Sequence, residues 1–366
     1  MSPSIRSTVS SWTTLVPVIA SIVLAMAWGR ELSGVLVALV TALLAGAVLA
    51  AVHHAEVVAH RVGEPYGSLV LAVAVTVIEV ALIVTLMISG DGKTETLARD
   101  TVFAAVMITC NGIVGLSILV GAFRRSVVSF HAEGAGAALA TVTTLATLCM
   151  VVPNFTTSTM GPEFSPGQLA FAAVTALALY GLFVTLQAGR HRDYFLPVTA
   201  TDAVAEDDVH AAPPPTRTAL LSLCLLVVAL VAVVGNAKLV SPVIERAVTA
   251  ADLPLSVVGV IIALLVLLPE SLAAVRAARR HRLQISLNLA FGSAMASIGL
   301  TIPTIAVASI WLPVPLHLGL GPMHIVLLAL TCVVTVLTVV PGRATLLQAG
   351  VHLALLAVYL FLSLIP

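Results

Sequence analysis

Two glutamates, Glu79 and Glu270, stand inside long apolar runs. Glu79 lies 13 residues into the run 66–89, and Glu270 lies 16 residues into the run 254–275. An ionised carboxylate at membrane depth costs at least a few kcal/mol, so buried acids of this kind face a cavity, a partner or an ion path. Both lie beyond the reach of simple snorkelling from the nearer end. If the two face each other, they make a hard oxygen site of the kind calcium prefers when neutral oxygens complete about six to eight ligands.

Hydroxyls, amides and freed carbonyls would have to supply the remaining oxygens. Candidate metal ligands are Thr76, Asn111, Ser293 and Ser297, with Thr109 and Ser271 as weaker ones. The ladder near Pro269 also lacks a donor and leaves a carbonyl free. The competing reading is structural, because Ser and Thr in membrane helices often bond back to their own backbone.

Charge arithmetic then gives the chemistry. A pair of close carboxylates is tolerable with a divalent cation or with protons, and poorly with neither. Metal and protons therefore compete for Glu79 and Glu270, which makes these two the expected ion-binding and proton-coupling residues. If only loaded states cross between inward-open and outward-open forms, the outcome is antiport.

A second cluster comprises His53, His54, Glu56, His60 and Glu64, with His131 and Glu133 further on. Histidine titrates near neutral pH, so His53, His54, Glu56, His131 and Glu133 form a candidate cytoplasmic vestibule or pH-sensing group. No third ligand in the sequence favours zinc there, and solvated loop histidines are the plainer reading. His324 and His352 fall inside apolar runs, where polar packing contacts are expected. The acids Asp202, Glu206, Asp207 and Asp208 sit in a polar stretch and read as solubilising.

The elements that must position these residues are membrane helices. Of 366 residues, 60% are hydrophobic and 9% charged, against roughly a quarter charged in soluble domains. A balance of 17 Lys+Arg against 17 Asp+Glu removes the basic face that nucleic acid requires. The expected partners are the lipid bilayer, transported cations and protons, with no cofactor and no nucleic acid, and a homo-oligomer stays open. Four cysteines without CxxC spacing suggest neither disulfides nor zinc. The first apolar run lacks a convincing cleavage signature and is read as a retained helix.

Spanning takes about 20 apolar residues. Eleven segments are expected: 12–29, 32–52, 66–89, 101–122, 135–152, 168–188, 218–236, 254–275, 284–310, 322–340 and 344–363. The fold class is all-α and polytopic. The long polar stretch 189–217, with Pro213-Pro214-Pro215, reads as a cytoplasmic acidic, Pro-rich linker. Residues 1–31 form an N-terminal helix, 32–188 a first repeat of five helices and 218–366 a second. Five is odd, so the second repeat is inverted, as in many transporters. Ile78-Glu79-Val80-Ala81-Leu82 pairs with Pro269-Glu270-Ser271-Leu272-Ala273, and Gly115-Leu116-Ser117-Ile118 with Gly299-Leu300-Thr301-Ile302. An N-terminus inside and a C-terminus outside puts 12 of the 17 Lys and Arg on the cytoplasmic side, as the positive-inside rule demands.

Two stretches carry a family resemblance. His54-Ala-Glu56-Val-Val-Ala-His-Arg61-Val-Gly63-Glu64-Pro65-Tyr-Gly67, running into Ala74-Val-Thr76-Val-Ile-Glu79-Val, resembles the first repeat of bacterial calcium/proton antiporters of the calcium/cation antiporter superfamily. Leu268-Pro269-Glu270 through Arg279, continued by Ser286 through Pro303, is similar to that family's second repeat. The resemblance implies an extra first helix, two inverted five-helix repeats, an acidic inter-repeat segment and ion binding by Glu79 and Glu270. Many members place Gly-Asn-Ala ahead of each glutamate, whereas Val75-Thr76-Val77 and Val266-Leu267-Leu268 stand here. Fewer side-chain oxygens then surround the ion. The expected activity is exchange of calcium, with sodium or potassium as further cations, for protons across the cell inner membrane. Sodium/proton or potassium/proton exchange with little calcium activity is the alternative.

Two other classes fit less well. A channel needs a continuous pore and usually oligomeric symmetry, and a membrane hydrolase needs a nucleophile or metal set that the sequence does not assemble. The chain is not expected to be an enzyme.

Overall fold

In lipid every backbone N–H and C=O must be satisfied within the protein, and a helix does this segment by segment. The structure, a computed structural model, describes residues 11–30, 34–63, 66–89, 95–123, 126–196, 214–311 and 315–365. The linker acids, Glu64, Lys93, Arg124 and Arg125 lie outside the described residues.

The described residues form eleven helical segments: α1 (Trp12–Ala27), α2 (Gly34–Val62), α3 (Tyr66–Ser89), α4 (Leu97–Ala122), α5 (Ala132–Phe155), α6 (Pro166–Ala188), α7 (Thr216–Ala250), α8 (Ser256–Arg279), α9 (Leu283–Ala308), α10 (Pro322–Val339) and α11 (Leu346–Leu364). Among the described residues, ten are long and apolar enough to cross a membrane, and α1 is the shorter apolar exception. The chain is therefore an all-α, multi-pass membrane protein. At 16 residues, α1 rises only about 24 Å against the ~30 Å of hydrocarbon. It is the extra N-terminal apolar helix expected at 12–29, two residues shorter at its end.

Two helices outrun their expected ends. α2 continues from residue 52 to Val62 because His53–Val62 contains neither Gly nor Pro. It stops at Gly63, whose φ of +78° and N–H bond to Ala59 O (2.9 Å) close the last turn. His53, His54, Glu56 and His60 thus stand on a helix, not in a loop. α7 likewise runs past Asn236, through Pro242, to Ala250.

Proline and π-helical turns interrupt other helices. Pro303 cannot donate to Gly299 O, four residues back, and α9 breaks there: Leu300 caps one helical piece and begins the next. α4 carries a π-helical turn at Ile108–Ile113 and α5 one at Thr147–Val151.

The helices gather into two compact units, one built from Met1–Gly90 and Thr199–Ala247, the other from Asp91–Val198 and Val248–Pro366. In the first, α2 packs on α1 and α3. Asn236 of α7 donates to Ala20 O of α1 at 3.2 Å, and Gly235 leaves room for Leu24. In the second, α4 is the core helix, with 89% of its most apolar window buried. α8, α9 and α11 pack around it. A Cβ at Gly259 of α8 would sit 3.0 Å from Thr101 N and 3.1 Å from Asp100 C, so glycine sets how closely α8 meets the α4 backbone. A two-residue antiparallel pairing, Val128–Ser129 with Arg343–Ala344, ties the loops ahead of α5 and α11.

Candidate ion-exchange site

Glu79 stands in the middle of α3, 3% exposed. Thr76 lies one turn earlier on the same face, 6% exposed. Burying a carboxylate in a membrane-length helix demands compensation, and a hydroxyl at i−3 can supply part of it. Both residues belong to the first unit.

Glu270 belongs to the second unit and is half-buried on α8, directly after Pro269. Pro269, inside the helix, has no N–H to bond Leu265 O, one turn before the carboxylate. Ser271 donates to Leu267 O at 2.7 Å, so its hydroxyl is spent on its own helix. α9 packs on α8 and carries Ser293, half-buried, and Ser297, 4% exposed, on one face at i, i+4.

Asn111 lies within the π-helical turn of α4, fully buried. Its amide nitrogen donates to Thr331 Oγ1 at 3.0 Å, and its carbonyl oxygen meets His352 Nδ1 at 3.2 Å. Both ends of its side chain are therefore engaged with α10 and α11. Thr109 donates to Ala105 O at 2.7 Å and Val106 O at 3.0 Å, satisfying its own helix.

In the histidine cluster, His53 and Glu56 are exposed, whereas His54 is 1% exposed and bonds Thr13 O through Nε2 at 3.0 Å. His54 thereby fastens α2 to α1. His131 is half-buried, with its backbone N–H donating to Gln284 Oε1 at 2.8 Å, and Glu133 is exposed in the first turn of α5.

Three features were not legible in the sequence. Asp100, 6% exposed, accepts from Arg99 and from Thr96 Oγ1 (2.9 Å), while Arg99 also donates to Gly319 O at 2.9 Å. His317 lies between two carboxylates, 3.3 Å from Glu95 and 2.6 Å from Glu163, joining three loops. Buried Asn111, His352, Thr331 and Thr338 make one hydrogen-bonded group. Polar residues scattered at long separations give no periodic signal. Among the described residues, no group of three or more His, Cys, Asp or Glu is arranged to hold a metal.

A bundle of membrane-length helices that carries carboxylates within its apolar segments, Glu79 buried and Glu270 half-buried, has the make-up of an ion transporter. The chain belongs to the sodium/calcium exchanger protein family, which matches residues 32–189 and 221–365. It is a secondary transporter of the cation-exchanging kind, not an enzyme. It is 33% identical over 347 residues to the sodium-potassium/proton antiporter ChaA of Escherichia coli (strain K12), covering 94% of this chain and 93% of that one. It is 46% identical over 362 residues to the y4hA protein of Sinorhizobium fredii, covering 97% and 96%. Among solved structures, native YfkE superposes with a TM-score of 0.72 at 15% identity over 97% of this chain and 98% of that one. The H+/Ca2+ exchanger CAX superposes with 0.68 at 15% identity over 95% and 86%.

Proposed function

We propose that this chain exchanges calcium, and also sodium or potassium, for protons across the inner membrane, with Glu79 and Glu270 taking up cation and protons in turn. The observation that carries this reading is Glu79: a carboxylate 3% exposed at the middle of a membrane-length helix is costly to bury there and suits an ion path. Glu270 supports it as the corresponding acid in the second stretch of family match. Each carboxylate holds a cation or a proton, so loading one displaces the other. Thr76, one turn before Glu79 on α3, and Ser293 and Ser297 on α9, which packs on the Glu270 helix, are the candidate sources of neutral oxygens. Asn111 serves that set only if its bonds to Thr331 and His352 give way.

A second reading, exchange of sodium or potassium with little calcium, is favoured by the 33% identity to the sodium-potassium/proton antiporter ChaA. Cation-induced proton release in inverted membrane vesicles separates the two, with calcium, sodium and potassium supplied one at a time. Release with calcium supports the first reading. Release with sodium or potassium alone supports the second, and release with none overturns both. The cytoplasmic linker, the inside N-terminus and the outside C-terminus complete the proposal.

A further inference from the structure

In the second unit, α10 and α11 reach the core helix through one buried hydrogen-bonded group. Asn111 Nδ2 donates to Thr331 Oγ1 at 3.0 Å, and Asn111 Oδ1 meets His352 Nδ1 at 3.2 Å. His352 Nε2 meets Thr338 Oγ1 at 3.1 Å. Asn111 and His352 are both 0% exposed, and Thr331 and Thr338 are each 2% exposed. An amide oxygen can only accept, so Nδ1 carries the hydrogen, and Nε2 accepts from the Thr338 hydroxyl.

The group closes on the one irregular part of the core helix. Asn111 sits in the π-helical turn Ile108–Ile113, a conformation that is rare and needs outside support. That support includes close packing from α11: a Cβ at Gly112 would meet Leu356 at 3.0 Å, and one at Gly115 would meet Leu353 at 3.0 Å and His352 at 3.1 Å. The same π-helical turn packs against α8, which carries Glu270, and against α9, which carries Ser293 and Ser297. We propose that His352 is a positioning residue: by holding Asn111 it fixes the π-helical turn of α4, and through that turn the placement of Glu270 for the exchanged ions. The inference rests on the ion-binding reading of Glu270.

The test compares His352→Asn, which retains a donor near the place of Nδ1, with His352→Leu, which removes both ring nitrogens. Thr338→Val and Glu270→Gln are run beside them. Cation-induced proton movement is measured in inverted vesicles over a range of cation concentrations. Expected are an apparent cation KM raised about tenfold in His352→Leu with maximal rate within about twofold of native, and a near-native KM in His352→Asn, because a donor to buried Asn111 is lost only in the first. Native KM in His352→Leu, or equal impairment in both, overturns the inference. If His352→Leu is not recovered folded, Thr338→Val carries the test: it leaves Nε2 without its donor and should raise KM severalfold, and an unchanged KM counts against the proposal. Glu270→Gln separates the failures, since retained exchange there sinks the underlying reading, whereas abolished exchange with native His352→Leu sinks only this inference.

Discussion

Glu79 and His54 show how one polar residue in an apolar helix can carry quite different weight. His54 is 1% exposed with Nε2 bound to Thr13 O, so its removal strips a buried carbonyl of its partner. His54→Leu should lower stability by about 1–3 kcal/mol. Thermal unfolding in detergent would register that loss, while exchange measured on the surviving protein should keep its native KM. A shifted KM at unchanged melting would instead place His54 in an ion-gathering vestibule with exposed His53 and Glu56. The glutamates were legible because a charge in an apolar run is conspicuous whatever surrounds it. The Asn111–His352 bond joins residues 241 positions apart, and buried Asp100 sits beside Arg99 at a helix start. Such groups are defined by tertiary neighbours, and no spacing rule reaches them.

At the level of elements, the core helix α4 is held by neighbours that approach through glycine. Gly259 of α8 lies against backbone atoms of Asp100 and Thr101, and backbone cannot turn aside as a side chain can. Gly259→Val should therefore force α8 off α4 and cost about 1–3 kcal/mol as overpacking. Gly292→Ala, on α9, where an added Cβ meets nothing within 4 Å, should be neutral or slightly stabilising. Melting temperatures of the two variants check both signs, and equal melting would contradict this packing. Helix existence was readable throughout because hydropathy over about 20 residues is a strong signal. Helix ends were less so: α2 and α7 extend beyond their apolar stretches because Ala, Val and His sustain a helix in water-facing segments too, and only Gly63 or the Asp252–Pro254 turn stops them.

Across the whole molecule, the proposed orientation rests on charge. With the linker 189–217 cytoplasmic as proposed, five crossings by α7–α11 would place the C-terminus outside, whether or not the 16-residue α1 crosses. A reporter that works only outside the membrane should be active when fused after Ile365 and silent when inserted within the linker. A reporter at the N-terminus should read inside if α1 crosses and outside if it does not. The compact units are interleaved in sequence, each drawing on both sides of the linker. The repeat pattern alone does not foretell that grouping, because repeats divide the chain by order and packing divides it by contact.

The proposed exchange of protons and cations through Glu79 and Glu270 is open to direct measurement. Purified protein in sealed liposomes, with no other protein present, tests it by following proton movement when a cation gradient is imposed. The native chain should move protons against the cation, and Glu79→Gln and Glu270→Gln should each reduce that movement at least about tenfold, a rise of at least ~1.4 kcal/mol in the activation free energy of transport. Native rates in both variants would contradict the account and move the exchanging groups elsewhere in the chain.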